Sequence, residues 1–465
     1  MKFIIGIDVA CRAAHVAAGA NQHGEIQWSG VRLRTRVEDL EELIKRVPDE
    51  VDELVVVMEP TRNAWVPLAS WLRRHGASVL VVPPEQSADL RAYFSKHTKN
   101  DRLDAQLLAR LPSLHPEGLH ASSGLGPADP LRRAVRQRTS LVERRSVAMA
   151  RLDALLEIMG PGWSEALGTA LTTTGFAFLA RWAHPHQVLK VGRARLARWF
   201  CREMRRTHGA DVADRVIEAA RATLALWGEG GLDFDELAAD IASEAEVALE
   251  LSRQITELDR RIADLYDEVD PGHIAETVPG IGKILAAQAV ARLGDVHRFS
   301  SLAAVRSFSG LVLRQNASGL MSRAGGPTKR GDAALRGALF QAVNVARQID
   351  PTLAQRYHRL MVREGKHHNS ATCTVAAVLL TRLATCLRTN TSYVIRDLDG
   401  RVVTAAEGRE IVRALPGSPP GPRGPPGSPR ESPGGRAHHE RSRQALRGRA
   451  RPRCIMTPQK GLDNA

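Results

Sequence analysis

The apolar and polar positions of the first 111 residues predict short strands separated by amphipathic helices. The predicted strands are 3–8, 13–20, 25–33, 54–59 and 78–82, and the predicted helices are 37–47, 64–75 and a last segment that ends near residue 111. The first and fourth strands are continuous apolar runs, which is typical of strands buried on both faces. Three strands followed by alternating helices and strands indicate an α/β domain, with a mixed sheet and helices on its faces.

A helical pattern dominates the rest of the chain, interrupted by two stretches rich in proline and glycine. Residues 112–128 are predicted to be a linker. Residues 416–465 have too few apolar positions to bury a core, so we predict a disordered basic tail. Between these stretches we predict a helical and coiled-coil region at 129–270 and a helical domain at 274–395.

Apolar residues recur at intervals of seven in the segment 241–265. The two series are Ile241, Ala248, Ile255 and Ile262, and Leu251, Leu258 and Leu265. They occupy the a and d positions of about three heptads, near the lower limit for predicting a coiled coil. We expect an arm that pairs with another subunit; the alternative is a helical hairpin that packs within one chain.

Composition narrows the classes of partner and compartment. The net charge of +14 and the pI near 10.1 favour an acidic partner such as nucleic acid. The tail carries about half of this charge, so the folded part is basic as well. The five cysteines lack the spacing of metal fingers or disulfide frameworks, which indicates a reducing compartment. We expect a cytoplasmic protein without membrane contact, because the chain shows no signal-peptide layout and no apolar run of membrane-spanning length.

Four carboxylates stand where the predicted fold would gather them. The order of elements is that of an RNase H-like domain, in which Asp8 and Glu59 lie at the carboxyl ends of two strands. Asp101 and Asp104 are three residues apart at the start of the last helix, which could bring them beside the first two. Converging carboxylates need cations, and their hard oxygens suit Mg²⁺. Asp8 or Glu59 alone is equally well explained as a helix cap, and the pair of Asp101 and Asp104 alone is better explained as solvated residues. The four together, in this order and context, favour a metal site.

The segment 278–283 opens the carboxyl-terminal domain and resembles a helix-hairpin-helix turn. Gly280 and Gly282 would let backbone N–H groups approach a phosphate at a helix N-terminus, with Lys283 beside them. The alternative is an ordinary turn between two helices.

A serine further along the chain is a candidate nucleophile. Ser318 stands in a glycine-flanked loop and is followed by the basic residues Lys329, Arg330 and Arg336, which are expected to contact phosphates. Serines are common in loops, so this pattern is weak when taken alone.

These motifs, taken as a set, resemble those of the DEDD transposases of bacterial insertion sequences, a family that includes pilin-inverting DNA recombinases and bridge-RNA-guided recombinases. The similarity covers about residues 3–111 and 274–395. It is carried by Gly6-Ile7-Asp8, Met58-Glu59-Pro60, Lys99-Asn100-Asp101 through Asp104-Ala105, the segment 278–282, Ala317-Ser318-Gly319, and Lys329-Arg330-Gly331 through Leu335-Arg336. The chain departs from the family at Pro60-Thr61-Arg62-Asn63, where many members have Ala-Thr-Gly after the glutamate, and in the length of the segment 161–240.

The resemblance implies a RuvC-like amino-terminal domain whose acidic quartet maps onto Asp8, Glu59, Asp101 and Asp104. It also implies that Ser318 is the nucleophile of a carboxyl-terminal transposase domain. Family members work as tetramers, in which paired dimers hold donor and target DNA, with a structured RNA encoded by the element.

We therefore expect a DNA transposase that performs Mg²⁺-dependent phosphoryl transfer through a covalent serine–DNA intermediate, guided by RNA. One alternative is a RuvC-like endonuclease of the Holliday-junction type, which cuts with metal-activated water and does not need Ser318. A second is a non-enzymatic nucleic-acid-binding protein. An actin-like ATPase ranks last because the glycine-rich phosphate loops of that fold are missing.

Overall fold

The structure is a computed structural model that describes residues 1–82, 100–114, 119, 128–168, 171–204, 209–318, 321–328 and 331–415; for 313–318 and 321–327 it describes the backbone only. The predicted linker, apart from 112–114, 119 and 128, and the predicted tail 416–465 lie outside the described residues. So do Lys329 and Arg330.

The amino-terminal domain is built around one mixed sheet. Its strands are β1 (Lys2–Asp8), β2 (His15–Asn21), β3 (Ile26–Leu33), β4 (Glu53–Met58) and β5 (Ser78–Val81), and its helices are α1 (Val37–Ile44), α2 (Trp65–Arg74) and α3 (Asp101–Leu114). The strand order is β3-β2-β1-β4-β5. The first three strands in the chain pair antiparallel, whereas β1, β4 and β5 run parallel. The predicted mixed α/β fold is confirmed at this level.

The two faces of this sheet are covered by different helices, because successive side chains of a strand point to opposite faces. The face toward α1 and α2 includes Phe3, Ile5, Ile7, Met58, Leu40 and Leu72. The face toward α3 includes Ile4, Val55, Val57, Leu108 and Leu111. Even-numbered residues of β1 therefore belong to the α3 side of the sheet.

Helix α3 ends later than predicted. The predicted linker was to begin at residue 112, but the helix continues through Pro112 to Leu114. A proline near the end of a helix removes only one backbone hydrogen bond, and Leu111 still packs on the sheet. The boundary at 112 was therefore wrong by three residues.

Two long helices and a small bundle form the middle of the chain. The helices are α4 (Asp129–Met159), α5 (Gly162–Leu167), α6 (Thr173–Trp182), α7 (Pro185–Val191), α8 (Arg193–Met204), α9 (Gly209–Trp227) and α10 (Phe234–Val269). Helices α4 and α10 run antiparallel, as the ion pairs Arg138–Asp259 and Arg151–Glu244 show. The bundle has its own aromatic core, in which Trp163 and Phe178 are completely buried.

The heptad positions of α10 pack inside the chain. Ile241 and Ala248 belong to the core of the bundle, while Ile255 and Ile262 belong to the core shared with the carboxyl-terminal domain. Ile241, Ala248 and Ile262 are fully buried. The expectation that this face pairs with another subunit was wrong; the hairpin within one chain, the alternative, is what the structure shows.

The carboxyl-terminal domain consists of α11 (Lys283–Leu293), α12 (Leu302–Ser309), β6 (Leu313–Ser318), β7 (Met321–Pro327), α13 (Ala333–Ala346), α14 (Pro351–His358), α15 (His368–Thr389) and α16 (Ala405–Ala414). A single turn of π-helix, Arg359–Arg363, follows α14. The purely helical prediction for this domain missed the antiparallel hairpin of β6 and β7. Its polar, glycine-rich sequence lacks the apolar alternation on which strand prediction depends.

Helix α15 is the one described helix that is long and apolar enough to cross a membrane by length and composition. The prediction that no apolar run reaches membrane-spanning length was therefore wrong for residues 368–389. The helix packs in the domain core through a continuous buried face that includes Val375, Leu379 and Leu383. Its apolar composition is accounted for by this packing.

Candidate active site

Asp8 and Glu59 lie next to each other at the carboxyl ends of adjacent parallel strands. Strands β1 and β4 pair in register, with Ile7 opposite Met58. The following residues on the two strands are therefore Asp8 and Glu59, and both are half-buried. Because Asp8 is two residues after Gly6, it belongs to the face of the sheet that α3 covers.

Helix α3 begins at this same edge of the sheet. The side chain of Arg102, in its first turn, lies beside Gly30, and that of Ser113, in its last turn, lies beside Gly24. Since Asp8 pairs with Val16, which in turn pairs with Arg32, the Gly30 end of β3 is the Asp8 end of β1. The first turn of α3, with Asp101 and Asp104, therefore lies at the edge where β1 ends.

The two aspartates of α3 have different environments. Asp104 is buried, with 9% of its surface exposed, whereas Asp101 is exposed. The neighbour of Asp104, Ala105, is completely buried against Val16 and Ala18 of β2. Asp104 therefore lies on the sheet side of the helix, and Asp101 lies nearer to solvent.

A close approach between backbones holds α3 on the sheet. A Cβ atom at Gly6 would overlap the carbonyl oxygen of Ala105 and the amide nitrogen of Ala109, and it would lie 2.9 Å from the carbonyl carbon of Leu108. Only glycine permits this contact. In the sequence, Gly6 stands out only as part of the motif Gly6-Ile7-Asp8, and nothing local to it indicates this contact with α3.

The start of α3 is secured by its own polar residues. The Asn100 side chain accepts a hydrogen bond of 2.9 Å from the backbone N–H of Arg102, which is the geometry of an N-terminal cap. Arg102 Nε donates to Ser29 Oγ at 2.9 Å and so ties the helix to β3. Aspartates in the first turn also interact favourably with the helix dipole, so Asp101 and Asp104 are stabilised at this position without a ligand.

A buried histidine fixes the loop that follows Asp8. His15 Nδ1 accepts a hydrogen bond from the backbone N–H of Ala10 at 3.1 Å, and its Nε2 lies 2.8 Å from Thr35 Oγ1. Because Nδ1 accepts, we assign the proton of a neutral imidazole to Nε2. Burial lowers the pKa of His15 below its ordinary value, which favours this neutral form. His15 was not among the residues predicted from the sequence, although a histidine at the start of an apolar strand is a visible signal.

The four carboxylates supply suitable oxygen donors, but they do not form a complete coordination sphere in this arrangement. Across the described residues, no group of three or more His, Cys, Asp or Glu side chains lies close enough to hold a metal ion. The topology brings Asp8, Glu59 and Asp104 to one edge of the sheet. The metal site stays a prediction.

Ser318 is the last residue of β6 rather than part of a loop, and its backbone pairs with Met321 of β7. Its side chain lies outside the described part, as do Lys329 and Arg330. Arg336 donates from Nη1 to the carbonyl oxygen of Ser309 at 2.9 Å, so it also holds the end of α12.

The predicted helix-hairpin-helix turn divides into a buried and an open part. Gly280 has a φ of +80° and lies against α13, where an added Cβ would overlap the carbonyl oxygen of Ala342. This packing by itself accounts for the glycine. Gly282 and Lys283 are exposed at the start of α11, with open space around Gly282. Lys283 Nζ is 3.5 Å from Asp267 Oδ1.

The mixed sheet with acidic residues at its carboxyl edge is consistent with a DEDD, RuvC-like domain. Comparisons with known proteins agree. A family model of IS110-type DEDD transposases matches residues 5–161, and a model described as the transposase IS116/IS110/IS902 family matches residues 272–358. Together the two models span slightly more than half of the chain.

Curated relatives belong to insertion elements. An uncharacterized protein of insertion element IS116 from Streptomyces clavuligerus is 25% identical over 373 residues, which is 80% of this chain and 91% of the relative. A protein of insertion element IS110 from Streptomyces coelicolor is 26% identical over 52% of this chain and 59% of the relative. The transposase for insertion sequence element IS1328 from Yersinia enterocolitica is 31% identical over 29% of this chain and 40% of the relative.

The chain belongs to the IS110/IS116/IS902 family of insertion-sequence transposases. It is therefore a DNA transposase by class, and DNA is its substrate. DEDD-type transposases normally use divalent metal ions, which agrees with the oxygen donors at the edge of the sheet.

Proposed function

We propose that this transposase cuts and rejoins DNA by metal-assisted phosphoryl transfer at Asp8, Glu59, Asp101 and Asp104. The observation that carries the proposal is the parallel register of β1 and β4, which makes Asp8 and Glu59 neighbours at the edge where α3 begins. Three separate parts of the chain thus contribute carboxylates to one edge. An acidic residue that merely caps a helix needs no such convergence.

We propose Mg²⁺ as the ion, because carboxylate oxygens are the ligands it prefers. A bound Mg²⁺ would polarise the scissile phosphate and stabilise the charge that develops on it. Carboxylates repel one another when no cation lies between them. We therefore expect Asp8, Glu59 and Asp104 to move closer together when metal and DNA bind, with the exposed Asp101 joining them from the helix start.

We propose Ser318 as the nucleophile. Its Oγ would attack the scissile phosphorus and lose its proton to solvent or to a neighbouring base. The bond to one DNA oxygen would break, and that oxygen would leave as a hydroxyl group. The phosphodiester energy would be kept in the serine–DNA link, so the strand could be rejoined to a new end without ATP.

We also propose that the chain acts as a dimer or tetramer with a structured RNA encoded by its element. The support is the family resemblance together with the basic charge of the chain. The heptad face of α10 is not the subunit interface in this proposal, because it is buried within the chain. The exposed Gly282 and Lys283 at the start of α11, together with Lys329, Arg330 and Arg336, are proposed to contact phosphates.

Replacement of Asp101 by Asn tests the metal site. The carboxylate charge disappears while the side-chain volume is kept, so Mg²⁺-dependent cleavage of element-end DNA should fall by at least about 10²–10³. DNA binding, measured by fluorescence anisotropy, should stay within a few-fold of the wild type. Asp264→Asn, an exposed position on α10, is the matched control. Normal cleavage by Asp101→Asn would remove the carboxylates from the mechanism.

Replacement of Ser318 by Ala tests the nucleophile. No covalent protein–DNA adduct should be detectable on a denaturing gel, whereas Ser322→Ala on the neighbouring strand should still form one. Cleavage without any adduct in the wild type would favour the Holliday-junction type of nuclease. Binding without metal-dependent cleavage would favour a non-enzymatic role.

A further inference from the structure

A basic groove lies between α14 with its π-helical turn and the middle of α15. Its volume is about 420 Å³, and its lining includes Arg356, Arg359, Arg363, Arg382 and Thr352. Three of the arginines follow one another along the segment 356–363, and the fourth comes from α15. The groove is thus lined by guanidinium groups from two helices.

One of these arginines is held rigidly in the wall. Arg382 Nη1 donates to Asp350 Oδ2 at 3.2 Å and to Tyr393 Oη at 2.5 Å, and its Nη2 donates to Thr352 Oγ1 at 2.8 Å. Asp350 is buried, with 1% of its surface exposed, and its carboxylate forms the ion pair that neutralises Arg382. Arg382 keeps 34% of its side chain exposed toward the groove.

The positive charges of the other three arginines, Arg356, Arg359 and Arg363, are less neutralised by carboxylates. Arg359 Nε lies 3.5 Å from Glu364, an exposed pair that contributes little. Within the described part of the chain, neither Arg356 nor Arg363 has a carboxylate oxygen within the 4.0 Å of an ion pair. Glu364 is hydrogen-bonded to Lys366 and also lies close enough to Arg359 and Arg356 for their charges to lower its pKa. This single carboxylate is shared among several cations, so the groove carries a net positive charge.

We propose that this groove binds the phosphodiester backbone of a nucleic-acid strand. Guanidinium groups match the paired oxygens of a phosphate and form two parallel hydrogen bonds to it. At the rise of an α-helix, Arg356 and Arg363 are about 10 Å apart along the axis, which corresponds to about three phosphate steps along one strand of a duplex. Exposed arginines on a convex helix are usually only solvated, but here they line a concave surface with a fixed arginine opposite them. The proposal rests on the proposed function only in that the substrate is a nucleic acid.

The test uses the full chain and the double variant Arg356→Gln, Arg363→Gln. Binding to labelled duplex DNA, single-stranded DNA and single-stranded RNA is measured by anisotropy over a range of salt concentrations. Each lost phosphate contact should reduce the slope of log affinity against log salt by about 0.9 for a duplex and about 0.7 for a single strand. The nucleic acid whose slope changes by this amount is the occupant of the groove. Thermal unfolding confirms that the variant is folded.

The double variant Arg195→Gln, Arg198→Gln removes the same charge from an exposed face of α8 and serves as the control. Its salt slopes should change less than those of the groove variant. Equal changes in both variants would show only a general effect of charge and would overturn the proposal. Unchanged slopes in the groove variant for all three nucleic acids would also overturn it. Polyglutamate that binds as tightly as the nucleic acids, through the same arginines, would assign the groove to an acidic protein instead.

Failure of this proposal can be distinguished from failure of the proposed function. The salt slopes are measured without Mg²⁺, so they report phosphate contacts and do not depend on cleavage at the carboxylates. If Asp101→Asn still cleaves DNA while the groove variant loses its phosphate contacts, the metal site is wrong and the groove stands.

Discussion

A methyl group added at Gly6 should separate α3 from the sheet and thereby damage both stability and catalysis. In Gly6→Ala the new Cβ would overlap backbone atoms of Ala105 and Ala109, which cannot rotate away as a side chain can. Restoring an ordinary contact distance requires a shift of about 1 Å in the helix. Such overpacking lowers the free energy of unfolding by about 1–3 kcal/mol.

The same shift should reduce catalysis, because Asp104 is adjacent to Ala105 and moves with it. A displacement of about 1 Å in a catalytic group lowers the reaction rate about 10²-fold. We therefore expect a lower urea midpoint by circular dichroism, together with a fall of about 10² in Mg²⁺-dependent DNA cleavage by the fraction that remains folded. Hydrogen exchange should show faster opening of β1 and α3.

Gly337→Ala is the control for Gly6→Ala. Gly337 is exposed in α13, with no atom within 4 Å of an added Cβ. There the substitution should be neutral or should stabilise the protein by about 0.4–1 kcal/mol. If Gly6→Ala behaves like Gly337→Ala in both stability and cleavage, then α3 does not rest on β1 as described, and the convergence of the carboxylates is refuted.

Two further predictions concern the supports of the fold. Because burial lowers the pKa of His15, the unfolded chain binds a proton more readily than the folded chain does. The stability contributed by neutral His15 should therefore be present above its ordinary pKa of 6.5 and be lost as the pH falls toward the lower folded pKa. The free energy of unfolding of His15→Gln, measured with urea, should lack this pH-dependent component. Identical profiles of stability against pH in the variant and the wild type would contradict the prediction. Ile262→Ala leaves a cavity at a fully buried position of α10 and should lower the free energy of unfolding by about 2–5 kcal/mol. Light scattering should show an unchanged oligomeric state, whereas dissociation without loss of stability would place Ile262 between subunits.

Sequence patterns were sufficient where local periodicity decides the structure. The order of strands and helices in the amino-terminal domain followed from apolar runs, and the described residues of the predicted helical region 129–270 form helices α4 to α10. The hairpin of β6 and β7 was missed because its strands are polar and glycine-rich, so they do not show the alternation of a half-buried sheet.

The sequence alone determined that Asp8 and Glu59 end two apolar strands and that Asp101 and Asp104 share the first turn of a helix, because both facts depend on neighbours in the chain. Only the tertiary structure decided which residues of α10 face their own chain, since an apolar stripe packs equally well on either kind of partner. It also decided that α3 rests directly on Gly6 and that Arg382 meets the arginines of 356–363 across a groove. Those contacts join residues far apart in the chain, and no local periodicity encodes them.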